Sequence, residues 1–219
     1  MKTQIYIASK EDVKICIDAG VDFIGVVADD KGKTPSSVPS QQVKQIFQSI
    51  PDTKMRVALI IEKEFESIKQ IIDITNPDLL HIGFEPEKIS LSVIERLRNE
   101  FPKIKLMQAI PINNKNPIDS ALKFQHSVDF FILDTNDPNR IDLGATGLTH
   151  DWNISAELAE KVKIPAILAG GLTPENVSEA IKVVKPWGVD SFSKTNLDNT
   201  NRKDKVKVEK FVKNAKTVF

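Results

Sequence analysis

The chain has 219 residues, 41% of them hydrophobic, with 30 Lys and Arg against 30 Asp and Glu and a single cysteine. Balanced charge supplies no sequence-independent attraction for nucleic acid or anionic lipid, and no apolar run approaches the ~20 residues of a membrane span, so neither partner is expected. Cys16 has no partner for an internal disulfide and no Cys/His spacing suits zinc, so the cytoplasm is the expected compartment and no metal or other cofactor is expected.

Short runs rich in β-branched residues alternate with longer amphipathic stretches along the whole chain, which is the rhythm of βα units. Residues 4–8 read as the first strand. Ser9-Lys10-Glu11-Asp12 then starts a helix with Ser9 as N-cap and acids in the first turn, and Gly20 stops it. A second strand at 23–27 is followed by a polar loop from Asp29 to Ser37 and a helix opening near Pro39, whose fixed φ suits a first turn. Strands at 57–61, 79–82 and 104–110 follow, each trailed by apolar residues three or four apart, such as Ile68, Ile71 and Ile72. The sixth strand is 130–133, the seventh 165–169 and the eighth 188–192, after which Val206, Val208, Phe211 and Val212 mark a last amphipathic helix. Eight such repeats describe one α/β domain, 1–219, folded as a single (β/α)8 TIM barrel, a compact example of a fold that usually takes about 250 residues. A doubly wound sheet is disfavoured because the first turn, Ala8-Ser9-Lys10-Glu11, has no glycine. The longest strandless stretch, 135–149, falls where a barrel would carry a lid at its C-terminal face.

Gly170-Gly171-Leu172-Thr173-Pro174 reads as a strand end, a tight glycine turn and a helix start with Thr173 as N-cap, a place where freed backbone N–H groups and a helix dipole can hold an anion. A plain βα turn is the alternative. Phosphate groups in barrels sit at the loops after strands seven and eight, which brings in Ser193 and Lys194. Asp134 puts a carboxylate at the C-terminal end of a buried strand, where barrel enzymes keep acids and bases. Asp190 ends the eighth strand in the same way and is read as a structural hydrogen-bonding group. His81 shares a strand face with Leu79. His126 and His150 lie outside strands and receive no role.

From the sixth strand onward the sequence resembles the phosphoribosylanthranilate isomerase family. The resemblance rests on Ile132-Leu133-Asp134, on Gly144-Ala145-Thr146-Gly147 with Asp151-Trp152, on the run Leu168-Ala169-Gly170-Gly171-Leu172-Thr173-Pro174-Glu175-Asn176-Val177, and on Gly188-Val189-Asp190 with Lys203-Asp204. It implies a TIM barrel that carries out an Amadori rearrangement in tryptophan biosynthesis, with Asp134 as proton donor. It also implies a phosphate grip by Gly170 and Gly171 under a lid of Gly144, Thr146 and Gly147. Two departures stand out. The family's first strand ends in Ile-Cys-Gly, its cysteine serving as base, whereas this chain has Ile5-Tyr6-Ile7; Cys16 lies inside the first helix and reads as a buried thiol. The family's carboxylate-binding arginine after strand two is Thr34, Pro35 or Ser36 here. The base is left open between His81, Tyr6 and Asp134 acting in both steps, and a phenol in the thiol's place with no arginine for the carboxylate implies that phosphoribosylanthranilate is turned over poorly or not at all. The expected partner is a phosphorylated small molecule bound by a monomer or homodimer. The alternatives are a related isomerase with another substrate, lysine Schiff-base chemistry at Lys194, and a non-catalytic barrel that binds a phosphorylated metabolite.

Overall fold

The computed structural model describes residues 1–112, 116–135 and 150–218. Eight strands alternate with eight helices: β1 (Lys2–Tyr6), α1 (Glu11–Asp18), β2 (Phe23–Val27), α2 (Ser40–Phe47), β3 (Met55–Ile60), α3 (Phe65–Thr75), β4 (Leu79–Ile82) and α4 (Leu91–Glu100). The second half repeats the order with β5 (Lys105–Pro111), α5 (Pro117–Phe124), β6 (Phe130–Asp134), α6 (Trp152–Lys161), β7 (Ala166–Leu168), α7 (Val177–Val184), β8 (Gly188–Ser191) and α8 (Lys205–Lys216). All neighbouring strands are parallel, and β1 pairs with β8 to close the barrel, with Gln4 opposite Asp190 and Ile5 opposite Ser191. The expected (β/α)8 barrel is therefore the observed fold.

Strand residues alternate between two separate cores. One face, with Ile5, Ile24, Ala58, Leu80, Ile110, Leu133, Leu168 and Val189, packs against the helices. The other, with Tyr6, Phe23, Val57, Leu79, Met107, Ile132 and Ile167, fills the barrel interior. Helix sequences match this arrangement: α3 buries Phe65, Ile68, Ile71 and Ile72. In α8 the buried stripe is Val208, Phe211, Val212 and Ala215. Val206, expected on that stripe, is 70% exposed because it lies two residues off the period and so points away from the sheet. Ser9 is also not an N-cap. Helix α1 begins at Glu11 after Lys10, and the Ser9 hydroxyl instead donates to the Asp12 carboxylate at 3.0 Å. The first strand lies two residues earlier than the sequence suggests, since pairing with β8 begins at Lys2.

At the N-terminal face one device recurs at alternate strands. Asp22, Asp78 and Asp129 each precede an even-numbered strand. Each carboxylate accepts the backbone N–H of the strand before it, from Thr3 at 3.1 Å, Arg56 at 2.8 Å and Leu106 at 2.8 Å. Their own N–H groups donate back to the carbonyls of the same three residues. Basic side chains finish each clasp: Lys2 on Asp22, the two-pronged Arg56 guanidinium on Asp78, and Arg98 on Asp129 at 2.7 Å. Asp78→Ala should cost about 2 kcal/mol, because it strands a backbone donor and a charge-assisted pair together. Thermal unfolding checks this, with Asp52→Ala, which removes an exposed carboxylate 3.7 Å from Arg56, as a control expected to change little.

Candidate functional site

The C-terminal strand ends bring four ionisable groups into the barrel mouth. Tyr6 ends β1, and its hydroxyl lies 2.5 Å from Nδ1 of His81 on β4. Both residues are 3% exposed, and the Tyr6 ring also leans on Phe192 with centroids 5.8 Å apart. Gly25, opposite Tyr6 in the β1–β2 register, makes room for the phenol, since a Cβ there would overlap the ring. Burial pushes the Tyr6 hydroxyl well above its ordinary range, with the charges of Asp190 and Asp134 adding to the effect. It also pushes His81 down to about 3. The pair is therefore neutral near pH 7, and both members are weak bases in this setting. Nε2 of His81 has no hydrogen-bond partner among the described residues.

Asp134 closes β6 and is 5% exposed; one of its oxygens accepts the Thr135 N–H at 2.7 Å. Burial raises its carboxyl to about 7 against the opposing pull of that hydrogen bond. Asp190, on β8 and 7% exposed, accepts a hydrogen bond from Nε2 of Gln4 at 3.1 Å. Burial, reinforced by the Asp134 charge, raises it to about 8. Two carboxyl groups thus stand inside one apolar barrel with affinities set for proton transfer near neutrality. Cys16 is buried in α1 and burial drives its thiol up to about 12, in keeping with an inert side chain.

The turn after β7 has the conformation that its glycines allow: φ is +79° at Gly170 and +65° at Gly171, both left-handed. A Cβ on Gly170 would also overlap Thr135 Oγ1, so the close approach of this turn to the end of β6 requires glycine. Thr173 does not cap α7, which begins at Val177 after Asn176. Its hydroxyl instead accepts the N–H groups of Glu175 and Asn176, and Asn176 Oδ1 accepts the Thr173 N–H at 2.8 Å, forming a closed turn ahead of the helix. Gly170, Gly171, Asp190, Ser193 and Lys194 line one small cavity between the β7 and β8 loops. The structure thus brings together the expected phosphate residues Gly170, Gly171, Ser193 and Lys194. Gly144, Thr146 and Gly147 lie outside the described residues.

Three features escaped the sequence reading. His150 bridges Thr135 Oγ1 at 3.1 Å and Ser155 Oγ at 2.6 Å, buttressing the strand end that carries Asp134. Lys31 and Lys33 reach the Glu62 carboxylate at 3.0 and 2.7 Å, so the loop after β2 has cations although it has no arginine. Asp190 faces the cavity as well as bonding Gln4. Only this last feature had a usable sequence signal, the two-residue spacing of Gly188 and Asp190 that sets them on one strand face.

The sequence pattern of the family described as N-(5'phosphoribosyl)anthranilate (PRA) isomerase matches residues 3–214. N-(5'-phosphoribosyl)anthranilate isomerase 2 of Methanosarcina mazei is 35% identical over 209 residues, covering 95% of this chain and 91% of that protein. Among solved structures, phosphoribosyl anthranilate isomerase from Thermotoga maritima matches with a TM-score of 0.83 at 25% identity, covering 99% of this chain and 98% of its own. Another, solved in complex with reduced 1-(o-carboxyphenylamino)-1-deoxyribulose 5-phosphate, shares the fold with a TM-score of 0.81 at 24% identity, covering 99% and 98%. A match running from β1 to α8, over a closed barrel with an aspartate ending β6 and a glycine turn after β7, means that the chain belongs to the phosphoribosylanthranilate isomerase family.

Proposed function

We propose that this protein isomerises N-(5'-phosphoribosyl)anthranilate, the Amadori step of tryptophan biosynthesis, with Asp134 as the proton donor that opens the ribose ring. The observation that carries this reading is Asp134 itself, a buried carboxyl at the end of β6 raised to about 7 and therefore able to hold and release a proton at working pH. The reaction converts an aminoaldose to an aminoketose. Acid protonates the ring oxygen, the ring opens to an iminium, and a base takes the C2 proton to give an enolamine that ketonises. Proton-transfer groups in the mouth favour turnover over a barrel that only binds.

At the other end of the substrate, the 5'-phosphate would lie on the turn of Gly170 and Gly171, with Ser193 and Lys194 across the cavity. The analogue bound to the solved relative carries a 5-phosphate, the kind of group this turn would hold. Neutral Tyr6, bonded to His81, suits orienting the substrate or filling the mouth better than abstracting a carbon proton. On this reading the enzyme works in the cytoplasm, as a monomer or homodimer.

Loss of anthranilate-linked fluorescence with purified protein tests the activity, and the same assay shows whether a phenol in the thiol's position slows turnover. Asp134→Asn should lower kcat by about 10²–10⁴, the usual contribution of a general acid. Gly171→Val should raise KM at least tenfold with a smaller effect on kcat, because the new side chain intrudes on the anion; an unchanged KM would remove the glycine turn from the site.

Asp134 also gives a stability signature. Its folded value of about 7 lies above its ordinary 3.8, so the folded state holds a proton that the unfolded chain has released. That contribution is complete below about pH 4 and is lost as pH rises to 7. Asparagine carries no such penalty. The stability of Asp134→Asn relative to wild type should therefore rise between pH 4 and 7 by as much as about 4 kcal/mol, from roughly 3 pK units at about 1.4 kcal/mol each, as read by urea unfolding at several pH values.

A further inference from the structure

The reaction needs a base as well as an acid, and the groups at the mouth can be narrowed by what already occupies them. Tyr6 and His81 are bonded to each other, and burial weakens both as bases near neutrality. Cys16 is buried within α1. Lys203 spends its ammonium on Phe192 O at 2.7 Å, Thr195 Oγ1 at 3.2 Å and Asn196 Oδ1. Asp190 remains. It lines the same small cavity as Gly170, Gly171, Ser193 and Lys194, so a substrate anchored there by its phosphate lies against this carboxylate. The β1–β8 register fixes its position by placing it opposite Gln4, whose Nε2 holds one oxygen at 3.1 Å.

We propose that Asp190 is a second catalytic carboxylate and takes the C2 proton in this barrel, while Asp134 supplies the proton for the ring oxygen. This rests on the isomerase reading above. In the step, Asp134 gives its proton to the ring oxygen and the C1–O bond breaks with its electron pair on oxygen, leaving an iminium at C1. The Asp190 carboxylate then removes the C2 proton. The C–H pair becomes the C1=C2 bond and the iminium π pair returns to nitrogen. Ketonisation moves the enol proton to C1, so the net change is an isomerisation with no oxidant or reductant. The two carboxyls share one proton at the start and one at the end, with their positions exchanged. The groups facing Asp190 are Gln4 and Tyr6 from β1, Asp134 from β6, Lys194 beside the cavity, and Lys203 ahead of α8. Their summed effect leaves Asp134 and Asp190 raised to about 7 and 8, so the reactive arrangement, with the proton on Asp134 and Asp190 ionised, is the minor tautomer of a singly protonated pair near neutrality.

Steady-state kinetics of the purified full chain on N-(5'-phosphoribosyl)anthranilate across pH, with and without deuterium at C2, tests the assignment. Wild type should give a bell-shaped profile with a primary isotope effect. Asp190→Asn should lose at least a hundredfold in kcat with KM within a few-fold, and Asp190→Glu should recover part of the loss. Gln4→Met keeps every catalytic group and removes a buried amide whose Oε1 has no partner among the described residues, so it should fold even if Asp190→Asn does not. Losing the Gln4 hydrogen bond raises the Asp190 carboxyl, the higher member of the pair, and should move the alkaline limb of kcat/KM to higher pH, a shift that a purely structural Asp190 would not produce. An Asp190→Asn enzyme within threefold of wild type, or an alkaline limb unmoved in Gln4→Met, would overturn the role of Asp190 alone. Absence of wild-type turnover would overturn the isomerase reading beneath it.

Discussion

Closure of the parallel sheet is the constraint on which everything else in this molecule depends. Once β1 pairs with β8, no strand edge is left. Every inward side chain then faces either apolar packing or the other inward side chains at its level. At the C-terminal ends those neighbours are Tyr6, His81, Asp134 and Asp190, contributed by four strands that are far apart in sequence. None has solvent to stabilise its charge. Burial therefore sets their proton affinities, and it moves the carboxyls and the imidazole in opposite directions, toward the neutral form in each case.

Much of the barrel was legible because its strands are short β-branched runs with uniform burial. The cores of 23–27, 79–82 and 130–133 lie inside observed strands with little displacement. What was not legible is whatever depends on side-chain partners. Ser9 and Thr173 are both good capping residues by type, yet Ser9 donates to Asp12 and Thr173 closes a separate turn, because a hydroxyl bonds whichever group the loop brings nearest. The β2–α2 loop carries lysines rather than an arginine, and their partner lies outside the loop. That Lys31 and Lys33 converge on Glu62 follows from the β2–β3 register rather than from any local motif. The glycine turn was readable because a left-handed backbone restricts which residues can form it. Asp190 bonds Gln4, as its reading as a structural hydrogen-bonding group expects, and also lines the small cavity, a placement that sequence alone does not distinguish.

The phenol at position 6 cannot be considered apart from its neighbours. A thiol needs little space, whereas this ring fills the width of the mouth, presses on the backbone of Gly25 and ties its hydroxyl to His81. The three positions therefore form one packing unit. Enlarging Gly25 or shrinking Tyr6 leaves either a clash or a hole, and in the second case His81 would lose its hydrogen bond to the phenol.

The aspartates at the opposite end give the barrel an electrical polarity. At Asp22 and Asp78 burial acts to raise the carboxyls but is outweighed, by Lys2 and Thr3 in one case and by Arg56 in the other, so both sit below their ordinary values and clasp the strands as anions. The carboxyls at the mouth are held as acids by the same low-dielectric surroundings. Strong acid would therefore loosen the floor and also put a charge on His81 in the mouth, whereas alkali would charge the mouth carboxyls while the floor stayed fastened. Acid thus acts on both ends of the molecule and alkali on the mouth. The interval between them, in which the floor is ionised and the mouth still holds a proton, is where strand pairing and proton exchange can coexist.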